Sequence, residues 1–252
     1  MYIYDGNPLF IIVLFTPETA FMKRLLFLLL TACCVFPLQA QKCSGYYYLR
    51  NNAEIEMTIY DARDNASGKT VYKITSVRSA GDSTISDFTN TYYDENEQAL
   101  TTGQGHFSCY GAGVIVDMKM SIPTLKQFKE VQMEARSNKA YLDYPADMQV
   151  GQELKAGRYE MVGKMDGMDV GVSYSVNNRR VSGKEKITTP AGTWNCYRIV
   201  YDIDFEMRMM GTGIPIQFSA VEWFAPGFGT VKSVSMKDGK LVGGTEITSV
   251  KN

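Results

Sequence analysis

The chain has 252 residues, near the upper range of a single all-β domain and enough to bury a sizeable core. Its 26 basic and 27 acidic residues leave no excess of positive charge, which argues against a nucleic-acid binder and against a polybasic protein of the membrane surface. One histidine removes most histidine-based metal sites and disfavours a catalytic triad, while 16 Tyr, 12 Phe, 22 Gly and only 8 Pro suit a sheet protein with many tight turns.

The first forty residues read as a targeting segment. Met22, Lys23 and Arg24 open a charged region, Leu25–Phe36 form an apolar run, and Ala40 is the small residue before a cleavage point. The run is shorter than the roughly 20 apolar residues of a membrane span, so no stable span is expected after cleavage. Met22 then reads as the true start and residues 1–21 as an upstream extension; the alternative is an uncleaved anchor made from both apolar runs. Leu30-Thr31-Ala32-Cys33 also matches a bacterial lipobox, in which Cys33 would be acylated. That reading halves the apolar run and leaves an apolar Cys34–Leu38 where a polar tether is usual, so it stays an alternative.

From Gln41 onward the dominant period is two. Ile55, Met57 and Ile59 alternate with Glu54, Glu56 and Thr58, and Val170, Val172, Tyr174 and Val176 with smaller or polar residues. Tyr201, Ile203, Phe205, Met207 and Met209 face one way, with Asp202, Asp204, Glu206 and Arg208 on the other. Each stretch predicts a half-buried antiparallel strand. Turn chemistry punctuates them at Asn65–Gly68, Ala80–Asp82, Pro190–Gly192, Ala225–Gly227 and Lys237–Lys240, with Asp238-Gly239 the clearest hairpin. Ile122–Lys129 is the one plausible helical piece. The expected fold is all-β: a curved antiparallel sheet of about 11–13 strands closing into a half-open or complete barrel, with little helix. Residues 41–252 read as a single domain, with a weak division near 142–152.

If the targeting segment leaves, it takes Cys33 and Cys34, and Cys43, Cys109 and Cys196 remain in an oxidising compartment. One disulfide and one buried thiol is the plain outcome. Cys196, in an apolar strand pattern, is the expected thiol, and a Cys43–Cys109 staple would hold an end that otherwise frays.

Several strings carry a family resemblance: Asn178-Arg179-Arg180-Val181, Thr188–Tyr197, Glu222–Val231 and Thr245–Ser249, preceded by Cys43–Tyr47, Val116–Met118, Tyr144-Pro145 and Val150–Gln152. Together they resemble the TapB-like exported proteins of Bacteroidetes, and are similar to a wider family of Gram-negative envelope proteins known as a domain of unknown function. The resemblance implies a curved sheet or half-open barrel in the periplasm or outside, and brings no catalytic residues to carry over. Its motifs are turn and strand signatures with a physical reading of their own. Pro190 presets φ and Gly192 accepts a positive one, while Trp223-Phe224 end a strand before the Pro226-Gly227 turn.

No motif specifies a reaction. His106 lacks an identifiable nucleophile and orienting partner, so a polar strand residue is favoured over a general base. Asp202 and Asp204 have the spacing of a glycosidase pair, but the aromatics alternate to the opposite face. Asp61, Asp64 and Asn65 lack the spacing of a calcium loop and read as an Asx turn. The methionines cluster as Met161, Met165 and Met168, as Met207, Met209 and Met210, and as Met118 and Met120. Core packing is the plain reading, an adaptable apolar cavity the second, and Cu(I) binding the third.

The functional expectation is therefore a non-enzymatic envelope protein, without a cofactor or metal, that binds a lipid or other apolar ligand in a groove. Tyr201, Phe205, Met207, Met209 and Trp223 would line it. The alternative is a structural or assembly protein acting on an unidentified envelope partner through exposed aromatics such as Tyr46, Tyr47 and Tyr48. A hydrolase is the remote third.

Overall fold

The computed structural model describes residues 43, 45–111, 113–118, 132–135, 140–165 and 167–252. The extension, the targeting segment and the expected helix at 122–129 lie outside the described residues.

Short alternating segments and Gly/Asx turns make successive hairpins. The strands are β1 (Glu54–Asp61), β2 (Ala66–Ala80), β3 (Ser83–Asp94), β4 (Ala99–Tyr110), β5 (Gly113–Asp117), β6 (Gln132–Ala135) and β7 (Tyr141–Pro145). They continue as β8 (Gly157–Met165), β9 (Met168–Thr189), β10 (Gly192–Met209), β11 (Thr212–Ala225), β12 (Gly229–Lys237) and β13 (Lys240–Lys251). Among the described residues these 13 strands form one antiparallel sheet in the order β6-β8-β9-β10-β11-β12-β13-β1-β2-β3-β4-β5-β7. The chain's two ends meet in its middle, because β1 pairs with β13. The sheet curls into a nearly closed barrel with one unsealed seam. At that seam β7 faces β8: a Cβ on Gly157 would lie 2.7 Å from the Leu142 side chain.

The turns follow from their residues. Asp238 and Gly239 have φ of 51° and 73°, as a two-residue hairpin with both central residues left-handed requires. Asp61 Oδ1 accepts from the backbone N–H of Arg63 and Asn65, and Asp94 Oδ1 likewise from Asn96 and Gln98. Those two backbone bonds hold the Asp61 carboxyl below its ordinary pKa and make this an Asx turn.

The core is aromatic. Tyr48 stacks on Phe107 with ring centres 5.2 Å apart, Tyr72 meets Phe88 edge-on, and Trp194 packs on Phe228 at 4.5 Å. The Cys43 and Cys109 sulfurs are bonded, which clamps the short 3-10 turn Tyr47–Leu49 against β4. Cys196 is free and buried. Tyr46 and Tyr48 are themselves core residues, and Tyr47 packs on Phe228. The expected exposed patch at Tyr46–Tyr48 is therefore corrected: the disulfide draws this segment onto Phe107 and Phe228.

Candidate functional site

Residues opposite one another across a ladder share a face, and neighbours along a strand alternate. Tyr201, Ile203, Phe205 and Met207 on β10 stand opposite Ala220, Phe218, Ile216 and Ile214 on β11. On their other side Ile203, Phe205, Met207 and Met209 face Val176, Tyr174, Val172 and Val170 of β9. This makes one continuous apolar face over three strands, and it runs from core to solvent. Ile203 is 7% exposed, Met209 43% and Ile214 68%. Pairing with β12 begins only at Ser219, so the tip of the β10–β11 hairpin overhangs its neighbour. Pro215 lies on that overhanging stretch and, having no N–H, makes it a poor template for further pairing.

Four of the five expected groove residues, Tyr201, Phe205, Met207 and Met209, share this face. Trp223 does not. It stands opposite Arg198, an odd number of positions from Ala220, and so lies on the other side of the sheet. Its Nε1 donates to Glu185 Oε1 at 2.7 Å. The expectation that Trp223 joins the groove is corrected by strand parity.

The opposite face of β9–β11 is polar. Asn177 Nδ2 and Gln217 Nε2 donate to the two carboxylate oxygens of Asp204, and Asn178 Nδ2 to Asp202. Both carboxylates are thus held by amides, and Asp204 borders an open concavity of about 540 Å³ whose lining includes Ser173, Asn177 and Gln217. His106 Nδ1 lies 2.6 Å from Asp87 Oδ1, and Ser76 Oγ donates to Asp87 Oδ2 at 2.6 Å. The carboxylate stands between serine and imidazole. A nucleophile-activating triad needs the imidazole in the middle. Ser76 and Arg78 draw the Asp87 carboxyl below its ordinary pKa, together with His106.

Sequence reasoning missed the polar centre of the barrel. Val200 pairs with Arg180 and Asp202 with Asn177, so Asn178 and Arg179 together oppose Tyr201 alone. Asn178 takes the left-handed conformation, φ 52°, that this bulge needs. The bulge turns Arg179 inward, and its side chain is fully buried. Arg179 Nη1 donates to the backbone oxygens of Asp143 on β7, at 3.1 Å, and of Lys155 just before β8, at 2.9 Å. Its guanidinium lies over the Tyr144 ring at 4.6 Å, and that ring stacks on Phe224. Glu222, at an inward position of β11, accepts from Tyr144 Oη at 3.1 Å and Thr230 Oγ1 at 3.3 Å. Arg179 Nη2 and Glu222 Oε1 are 3.8 Å apart, a Coulombic contact longer than a hydrogen bond. Burial raises the Glu222 pKa, against the opposing pull of Arg179 and Tyr144. Burial and the charge of Glu222 together push the Tyr201 hydroxyl far above its ordinary range. The available signals were small ones: the break in alternation at Asn178-Arg179-Arg180, and an acid in the otherwise apolar Val221–Phe224.

Among the described residues no group of His, Cys, Asp and Glu is arranged to hold a metal ion, and no helix is long and apolar enough to cross a membrane. A family model described as DUF3108-like matches residues 51–247. Two solved structures share the fold. One, from Bacteroides fragilis, is described as an exported protein with a YmcC-like fold; it is 19% identical with a TM-score of 0.67, over 82% of this chain and 99% of its own. The other, from Parabacteroides distasonis, is described as a lipoprotein; it is 18% identical with a TM-score of 0.68, again over 82% and 99%. No curated protein matches the chain.

Proposed function

The chain belongs to the DUF3108-like family, and from that premise we propose that it is an exported, non-enzymatic protein of the cell envelope whose barrel offers an apolar face to a lipid or other apolar ligand. The observation that carries this reading is the β9–β11 face that leaves the core at Ile203 and ends in solvent at Met209 and Ile214. Exposed apolar side chains in a continuous row cost hydration free energy that an apolar occupant would recover, at about 25 cal/mol per Å² covered. Methionines suit such a face because the thioether chain adapts to irregular shapes.

A periplasmic or extracellular location is supported by the charged-then-apolar segment Met22–Phe36, and by relatives described as exported and as a lipoprotein. Acylation at Cys33 is the alternative form of that export, and the TapB-like grouping is the finer family reading. A non-enzymatic role is supported by the order Ser76–Asp87–His106, in which the carboxylate and not the imidazole stands beside the serine. The competing assembly role loses its proposed contact patch, since Tyr46 and Tyr48 are core residues.

The test is native mass spectrometry of the protein purified from its host's envelope, beside an Ile214→Glu variant. Ile214 is exposed, so the variant should fold as the parent does. A bound apolar mass that organic solvent strips from the parent, and that the variant lacks, supports the reading. A bare mass for the parent sinks it and passes the weight to a surface-contact role.

A further inference from the structure

We propose that Arg179 is the latch of the barrel seam: one side chain does there what a strand ladder does at every other join of the sheet. At the other joins, neighbouring strands exchange backbone hydrogen bonds along a register. At the seam, β7 pairs with β5 on one side, and β8 with β6 and β9. Among the described residues no ladder joins β7 to β8. The Arg179 guanidinium spans the gap by donating to Asp143 O on one side and Lys155 O on the other.

The same residue anchors the strap between β7 and β8 through its backbone. Arg179 O accepts from the Leu154 N–H at 2.8 Å, and the next residue but one, Val181, exchanges bonds with Gly151 and Gln152. The bulge that turns Arg179 inward therefore places one residue against β7, the strap and the barrel interior at once. The charge is held by Glu222 at 3.8 Å and by the Tyr144 ring. On the outer side the Lys155–Asp143 ion pair also crosses the join, but the Lys155 side chain is 82% exposed, so it adds little. Both carbonyl bonds of Arg179 come from Nη1, whose two N–H groups point in directions fixed by the guanidinium plane, whereas a lysine offers a point charge on a flexible stem. It follows that β5, β7 and the strap Pro145–Ala156 open as one local unit, below the free energy of global unfolding.

The experiment is hydrogen–deuterium exchange with peptide resolution on the full chain, comparing the parent with Arg179→Lys and Arg179→Gln. Arg179→Lys keeps the charge that Glu222 faces and is the variant chosen to fold. The expected result is exchange at least tenfold faster in peptides covering Gly113–Asp117 and Tyr141–Gly157, with β2, β3, β10 and β11 unchanged in both time course and protection. Lys155→Ala is expected to leave all peptides near the parent. Exchange that speeds up equally everywhere overturns the proposal, since Arg179 would then be an ordinary core residue. Unchanged exchange at the seam in Arg179→Lys overturns it too. If Arg179→Gln does not fold, the Lys variant alone decides.

Discussion

Reducing the Cys43–Cys109 bond is the perturbation whose size the structure sets most directly. The two cysteines are 66 residues apart in sequence, and their loop encloses β1 to β4 almost entirely. A cross-link over a loop of that length removes unfolded-chain entropy worth about 4 kcal/mol on the chain-entropy model. For a chain of this size each kcal/mol moves the midpoint of thermal unfolding by about 2–4 °C, so a fall of about 8–16 °C is expected. The assay is thermal unfolding by circular dichroism for the parent and for Cys43→Ser with Cys109→Ala. Alanine is used at Cys109 because that site is buried and a hydroxyl there would lack water. Early fraying should show in the near-ultraviolet signal of Tyr46 and Tyr48, which the bond holds against Phe107. A double variant melting within 2 °C of the parent would refute the reasoning. It would mean that the Tyr48–Phe107–Phe228 packing fixes this segment without the cross-link.

Three further outcomes follow. Gly105 stands opposite Phe88, and a Cβ there would lie 2.5 Å from the buried ring, so Gly105→Ala should destabilise by about 1–3 kcal/mol in urea titration; an unchanged midpoint would show that the ring shifts freely. Burial, with the charge of Glu185, pushes the Cys196 thiol up to about 11. It should therefore resist alkylation at pH 8 until the chain unfolds, and fast labelling of the native protein would contradict this burial. Glu222 has a folded pKa raised above its unfolded value of about 4.3, mainly by burial. Such a group adds stability that is fully present below the unfolded pKa and lost as pH rises through the folded one. The stability of the parent relative to Glu222→Gln should therefore decline from pH 4 upward, and a difference that rises or stays flat over pH 4–8 would count against it.

Much of the fold was legible in the order of residues. Alternation along Glu54–Tyr60, Asp169–Asn177 and Tyr201–Met209 marks half-buried strands because side chains of a strand point to opposite faces by turns, and Asp238-Gly239 marks a hairpin because few residues tolerate its φ values. The same alternation placed Tyr201, Phe205, Met207 and Met209 on one face before any pairing was known. Trp223 was not legible in this way, because parity within a strand says nothing of register between strands; that waited on its pairing with Arg198. Tyr46–Tyr48 looked like a surface patch because a three-residue aromatic run has no period, and their burial against Phe107 and Phe228 is a contact across long stretches of chain. Arg179 and Glu222 lie 43 residues apart, and each alone is a charged residue on a strand. Only the bulge at Asn178, the inward position of Glu222 and the closing of the sheet bring them under Tyr144. Local pattern, which depends on neighbours in sequence, determined which segments are strands; the meeting of distant strands decided what stands at the centre of the barrel and what holds its seam.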